Sequence, residues 1–103
     1  MIVVGRQKVE AFFADRKGHK GIASARSSFE AWLAIVRDAA WETPEDVKRS
    51  HPKASILKAG RVVFNIKAND FRLVSVIQYQ ASVVTIRFFG THEEYDRIDA
   101  ETI

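Results

Sequence analysis

Between Arg61 and Gly90 the chain reads RVVFNIKANDFRLVSVIQYQASVVTIRFFG, three β-rich runs separated only by AND and QAS. Connections this short cannot carry a parallel crossover, which needs a dozen or more residues. The run is therefore expected to fold as an antiparallel meander. Its first strand alternates cleanly, with Val62, Phe64 and Ile66 on one face and Arg61, Val63, Asn65 and Lys67 on the other. A sheet with one apolar face needs a cover, and the upstream sequence must supply it.

Upstream, MIVVG reads as a short strand ended by Gly5, and RQKVEAFFADR as an amphipathic helix with Val9, Phe12 and Phe13 at helical spacing. KGHKG is a loop. A second helix is expected to start at a Ser27 cap, with Glu30 completing a capping box. Phe29, Trp32, Leu33, Val36 and Ala40 form its apolar stripe. Thr43 before Pro44, with Asp46 behind, starts a further turn running to about Ser50, where Pro52 stops it. KASILKAG is expected to be loop. The predicted order is β-α-α-β-β-β, an α+β domain whose antiparallel sheet carries two helices on one face.

A chain of 103 residues with 47% hydrophobic side chains fits one domain, residues 1–103, with a modest core. Having no cysteine, it forms neither disulfides nor thiolate sites, and its three scattered histidines give no metal-ligand pattern. Its apolar runs are too short to span a membrane, and Met1 to Gly5 is too short for a signal peptide, so a cytoplasmic protein is expected.

Charge is distributed unevenly. From Arg61 to Gly90 there are four cations and one acid, whereas from Thr91 onward there are five acids and one cation. In the middle strand Arg72 and Gln78 share a row with Val74 and Val76, which turns that row outward. In the last strand Val84, Ile86 and Phe88 are expected to be the core row, leaving Thr85 and Arg87 opposite. The outward face then bears Arg61, Asn65, Lys67, Arg72, Gln78, Thr85 and Arg87. Alternation alone is what any sheet with one face in water requires. A face with four cations and no acid is different, because solvated faces usually mix charges across strands. Arginine also offers phosphate a planar fork, so the face points to a polyanion.

After this strand comes GTHEEYD. Thr91 and Glu94 make a capping box, placing His92 in a first helical turn with Tyr95 three positions on. Histidine titrates near neutral pH and suits general acid–base work. Metal-free RNA cleavage needs a base for the 2′-hydroxyl, cations for the phosphorane and an acid for the leaving 5′-oxygen. His92 fits either proton-transfer role, Arg72 and Lys67 the phosphate, and Tyr95 the orientation or stacking of a base. The alternative is a turn histidine beside a tyrosine that packs the last segment onto the core.

The stretch RVVFNIKANDFRLVSVIQYQASVVTIRFFGTHEEYDRID resembles the C-terminal half of HigB-type toxins of bacterial type II toxin–antitoxin systems, within the RelE/ParE superfamily. MIVV, FEAWL and the Trp41–Pro44 neighbourhood are similar to the same family. The resemblance implies a RelE-like fold and an mRNA interferase that cuts messages on the ribosome without metal or cofactor. The implied partners are a helix-turn-helix antitoxin, the ribosome and its mRNA, and operator DNA through the antitoxin complex. By position, Arg72 resembles the superfamily's phosphate-binding arginine and Lys67 the basic residue of the preceding strand. His92 falls where relatives place a catalytic arginine or histidine, and Tyr95 near their shifting aromatic. The superfamily also includes gyrase poisons on the same scaffold, and a plain nucleic-acid-binding module would share the basic face.

Overall fold

The computed structural model describes residues 1–103. Its elements are β1 (Ile2–Val4), α1 (Arg6–Asp15), α2 (Ile22–Asp38), α3 (Pro44–Ser50), β2 (Ser55–Ile56), β3 (Arg61–Ile66), β4 (Phe71–Gln78), β5 (Val83–Thr91) and α4 (His92–Tyr95). All five strands join one sheet in the order β1-β5-β4-β3-β2. Strands β3, β4 and β5 form the expected antiparallel meander. The sheet as a whole is mixed, which corrects the antiparallel expectation: β1 runs parallel to β5, with Val3 opposite Val84. No hairpin constrains β1, since three helices and three strands separate it from its partner, and a long connection permits either direction. At the turn from β1 into α1, a Cβ on Gly5 (φ +93°) would stand 2.6 Å from the Ile86 carbonyl oxygen. Glycine alone allows that approach. A short β2 also forms inside KASILKAG, where loop was expected, and pairs with β3.

Of the three helix-start signals read from the sequence, two form, both as capping boxes. Thr43 and Asp46 open α3, and Thr91 and Glu94 open α4, each with reciprocal side-chain and backbone bonds. The third does not. Helix α2 starts five residues before Ser27, at Ile22 with Gly21 as its cap, and the Ser27 hydroxyl instead donates to the Ala23 carbonyl at 3.3 Å. Nothing between Ile22 and Arg26 breaks a helix, and Ala25 is fully buried, so packing extends the apolar stripe backwards past the local signal. At its other end the helix stops at Asp38, with Ala39 extended, which leaves Ala40 off the stripe.

Three helices cover one sheet face. Val9, Phe12 and Phe13 of α1, the stripe of α2 and Val47 of α3 meet Val62, Phe64, Ile66, Leu73, Ile77, Val84 and Ile86. The register of β4 against β5 shifts between Val74 and Ser75: Val74 faces Phe88, but Ser75 faces Ile86, so Arg87 is an extra residue in β5. Such a bulge inverts the alternation beyond it. Phe89, not Phe88, therefore enters the core, where it stacks on Phe71 with centroids 5.8 Å apart. Phe88 lies on the outer face across Gly90, whose absent Cβ would meet its ring at 2.6 Å.

The outer face is not open to water throughout. Val63 and Val74 are 3% and 0% exposed, although neither belongs to the core under the helices. The chain after α4 returns to the start of β3. Arg61 Nη2 donates to the Ile103 carbonyl at 2.8 Å, and Lys58 pairs with Glu101 at 3.7 Å. An acidic segment thus lies on the start of β3, drawn there by opposite charge and by apolar area to bury.

At the edge of the core, His51 presents its ring to Phe64 and Trp41, with centroids 5.1 and 5.8 Å away. Its Nδ1 lies 3.0 Å from Ser50 Oγ, and Lys53 shares the shallow pocket. Burial pulls its pKa below the ordinary histidine value. The unfolded chain then binds a proton that the folded one refuses, so stability is full above about pH 6.5 and falls as pH drops below it. His51→Gln is expected to flatten the fall in urea midpoint between pH 7 and 5. An unchanged pH slope would show that His51 titrates alike in both states.

Candidate functional site

Five of the eight sequence-predicted residues gather at one end of the sheet. Strand register aligns Asn65 of β3 with Arg72 of β4, and Arg72 with Gly90 of β5. Two residues beyond Gly90, the His92 amide donates to the Asp70 carbonyl at 3.0 Å, fastening the start of α4 to the β3–β4 loop. The Arg72 guanidinium lies 5.9 Å from the Tyr95 ring centroid, within cation–π range. Its Nη1 donates to the Asn69 carbonyl at 2.7 Å, which leaves Nη2 and Nε without hydrogen-bond partners. Asn65 Nδ2 donates to Asn69 Oδ1 at 3.2 Å.

Lys67 belongs to this end, but not to the outer face where alternation placed it. Strand β3 stops at Ile66, and Lys67 takes a left-handed backbone (φ 52°) in the loop. Its ammonium lies 3.6 Å from Asp70 and 3.0 Å from where a Cβ on Gly21 would stand, beside the start of α2. Arg61 and Gln78 lie at the opposite end. Arg61 is four strand positions from Asn65, about 13 Å at ~3.3 Å per residue, and is held by the C-terminal segment. Arg87 is exposed on the bulge in mid-sheet.

The histidine is half exposed, and its Nδ1 stands 3.1 Å from Asp96 Oδ2 one helical turn on. Of the neighbouring acids Glu93, Glu94 and Asp96, Asp96 is the one whose carboxylate lies beside the ring. The Nε2 atom has no hydrogen-bond partner. Glu94 does different work: Oε1 accepts from the Thr91 amide at 2.9 Å, and Oε2 accepts from Arg16 Nη2 at 2.6 Å. Arg16 also lies over the Phe12 ring at 3.9 Å. Through this pair the α1–α2 loop is tied to the turn that carries His92. That loop, RKGHKG, reads as a connection and nothing more, because its relation to the site spans 78 residues of chain.

A five-stranded mixed sheet under helices, with a histidine-headed turn closing the end of its meander, is a RelE-like α+β domain. A family model described as HigB toxin, the RelE-like toxic component of a toxin–antitoxin system, matches residues 25–98, and the chain belongs to that family. Its role is that of a toxin component, and its partner a cognate antitoxin. No curated protein matches the chain. No helix is long and apolar enough to cross a membrane.

Proposed function

We propose that the protein is an mRNA endoribonuclease that inhibits translation by cutting messages on the ribosome. The observation that carries the reading is the half-exposed His92 ring, its Nε2 unpartnered, fastened at the same sheet end as Arg72 and Lys67. In the reaction, a base takes the proton from a 2′-hydroxyl, and the 2′-oxygen attacks the adjacent phosphorus. The bond from phosphorus to the 5′-oxygen breaks, and that oxygen leaves with a proton from an acid. The products are a 2′,3′-cyclic phosphate and a 5′-hydroxyl. A carboxylate beside Nδ1 keeps a proton on that nitrogen and leaves Nε2 to exchange one with the substrate. Arg72, with Nη2 and Nε open, and Lys67 stabilise the charge building on the phosphorane. Tyr95, held against Arg72, is placed to stack a base.

The test is to add the purified chain to ribosomes carrying a message and to map ends. Expected are cuts inside the translated region, with 2′,3′-cyclic phosphate and 5′-hydroxyl termini. Growth arrest with a DNA-damage response and intact messages would replace this reading with the gyrase-poison one. Normal growth on expression would leave only a nucleic-acid-binding module.

A further inference from the structure

We propose that the α1–α2 loop, through Lys17 and Lys20, holds backbone phosphates of the transcript strand flanking the cleaved linkage. The proposal rests on the nuclease reading above and adds a strand path to it.

The outer sheet face is the expected polyanion surface, but its far end is closed to RNA. The acidic C-terminal segment lies there, with Glu101 on Lys58 and the Ile103 carbonyl on Arg61. A phosphate approaching that end would meet carboxylates before it met Arg61. A strand seated at His92 must leave by another way.

The loop offers one. Its first residue, Arg16, is bonded to Glu94 two positions from His92, and its last, Gly21, abuts the Lys67 ammonium. Both ends are therefore fixed at the site. Of its charges, Arg16 is spent on Glu94 and Asp15, whereas Lys17 and Lys20 are exposed and lie within 4 Å of no carboxylate. Unpaired lysines beside a bound phosphodiester are the electrostatic footprint of a tracked backbone. Beside the loop, α1 and α2 form a groove of about 660 Å³ whose lining includes Phe13, Ile22, Lys17 and His19. Arg26 caps Phe13 at 4.6 Å and locks Glu10 with two hydrogen bonds, holding that carboxyl below its usual pKa, so the one acid in the groove is already neutralised. A groove lined by both apolar and basic side chains suits an unstacked base.

The experiment compares wild type, Lys17→Ala/Lys20→Ala, Lys17→Arg/Lys20→Arg and His92→Ala. Each is measured for binding to a single-stranded RNA oligonucleotide and to message-carrying ribosomes across a salt series, and for cleavage on those ribosomes. The alanine pair is expected to bind the oligonucleotide about tenfold more weakly at low salt. Its plot of log K against log salt should be shallower by about 1.4, two phosphates at ~0.7 each. The arginine pair should restore both, and His92→Ala should leave both unchanged while losing cleavage. Three results would overturn the proposal: an unchanged slope in the alanine pair, a loss seen on ribosomes alone, or no oligonucleotide binding by wild type. If wild type still cleaves in those cases, the nuclease reading survives without the loop.

Discussion

Replacing Phe64 by alanine is expected to cost about 3–5 kcal/mol of stability, the range for a buried large aromatic truncated in a packed core. Phe64 is 1% exposed and sits where the sheet meets three other rings. Trp32 approaches it edge-on at 5.4 Å, Trp41 stacks at 6.1 Å, and His51 completes the cluster at 5.1 Å. These rings come from α2, from the segment after it and from the end of α3, so no single rotamer change can refill the space. A domain of this size loses roughly 4 °C or more of melting temperature per kcal/mol, so the variant should melt at least about 12 °C below wild type. Natural domains hold only about 5–15 kcal/mol in total, and the variant should accumulate poorly at 37 °C. Ile35→Ala is the matched control: this side chain is half exposed on α2, and its loss should shift stability by less than about 0.5 kcal/mol. A Phe64→Ala penalty no larger than the control's would mean that the aromatic cluster does not hold helices to sheet.

What could be read from the sequence was what a few neighbouring residues decide. The alternation of β3, the boxes at Thr43 and Thr91, and the stripe from Phe29 to Val36 all rest on spacings of four residues or fewer, and each appears in the structure. Ser27 shows the limit of such signals. A cap contributes about 1 kcal/mol, less than the burial that Ala25 gains by continuing the helix together with the turn it completes. The bulge at Arg87 decides which of two adjacent phenylalanines enters the core, and nothing in VTIRFFG distinguishes them; the choice belongs to the register against β4. Lys67 left its assigned row because the loop needed a left-handed residue there. The contacts of the C-terminal segment with Arg61 and Lys58, the parallel β1 and the tie between Arg16 and Glu94 join residues far apart in sequence, where periodicity carries no information. The candidate site was thus legible as a set of residue types near a strand end. Its loop and its Asp96 partner had to come from the fold.

His92→Ala is expected to lower single-turnover cleavage on message-carrying ribosomes by about 10²–10⁴, the range a positioned general acid or base supplies. Folding should not confuse the result. The side chain is half exposed, has the similarly exposed Asp96 as its polar partner, and leaves the Thr91–Glu94 box and the backbone bond to Asp70 in place. The melting temperature should therefore stay within a degree or two of wild type, and ribosome binding should be retained, since no phosphate-holding cation is touched. Arg72→Ala should also depress the rate, by about 10²–10³, through the lost transition-state charge. Its effect should be insensitive to pH, because arginine stays charged throughout. His92→Gln separates the two proton-transfer roles. If Nε2 takes the 2′-proton, the wild-type rate rises as the ring is deprotonated and the glutamine variant loses that limb. If the ring gives a proton to the 5′-oxygen, the limb that disappears is the falling one. A glutamine variant that cleaves at the wild-type rate with an unaltered profile would reduce His92 to a turn residue. The chemistry would then have to be sought among Arg72, Lys67 and the loop lysines.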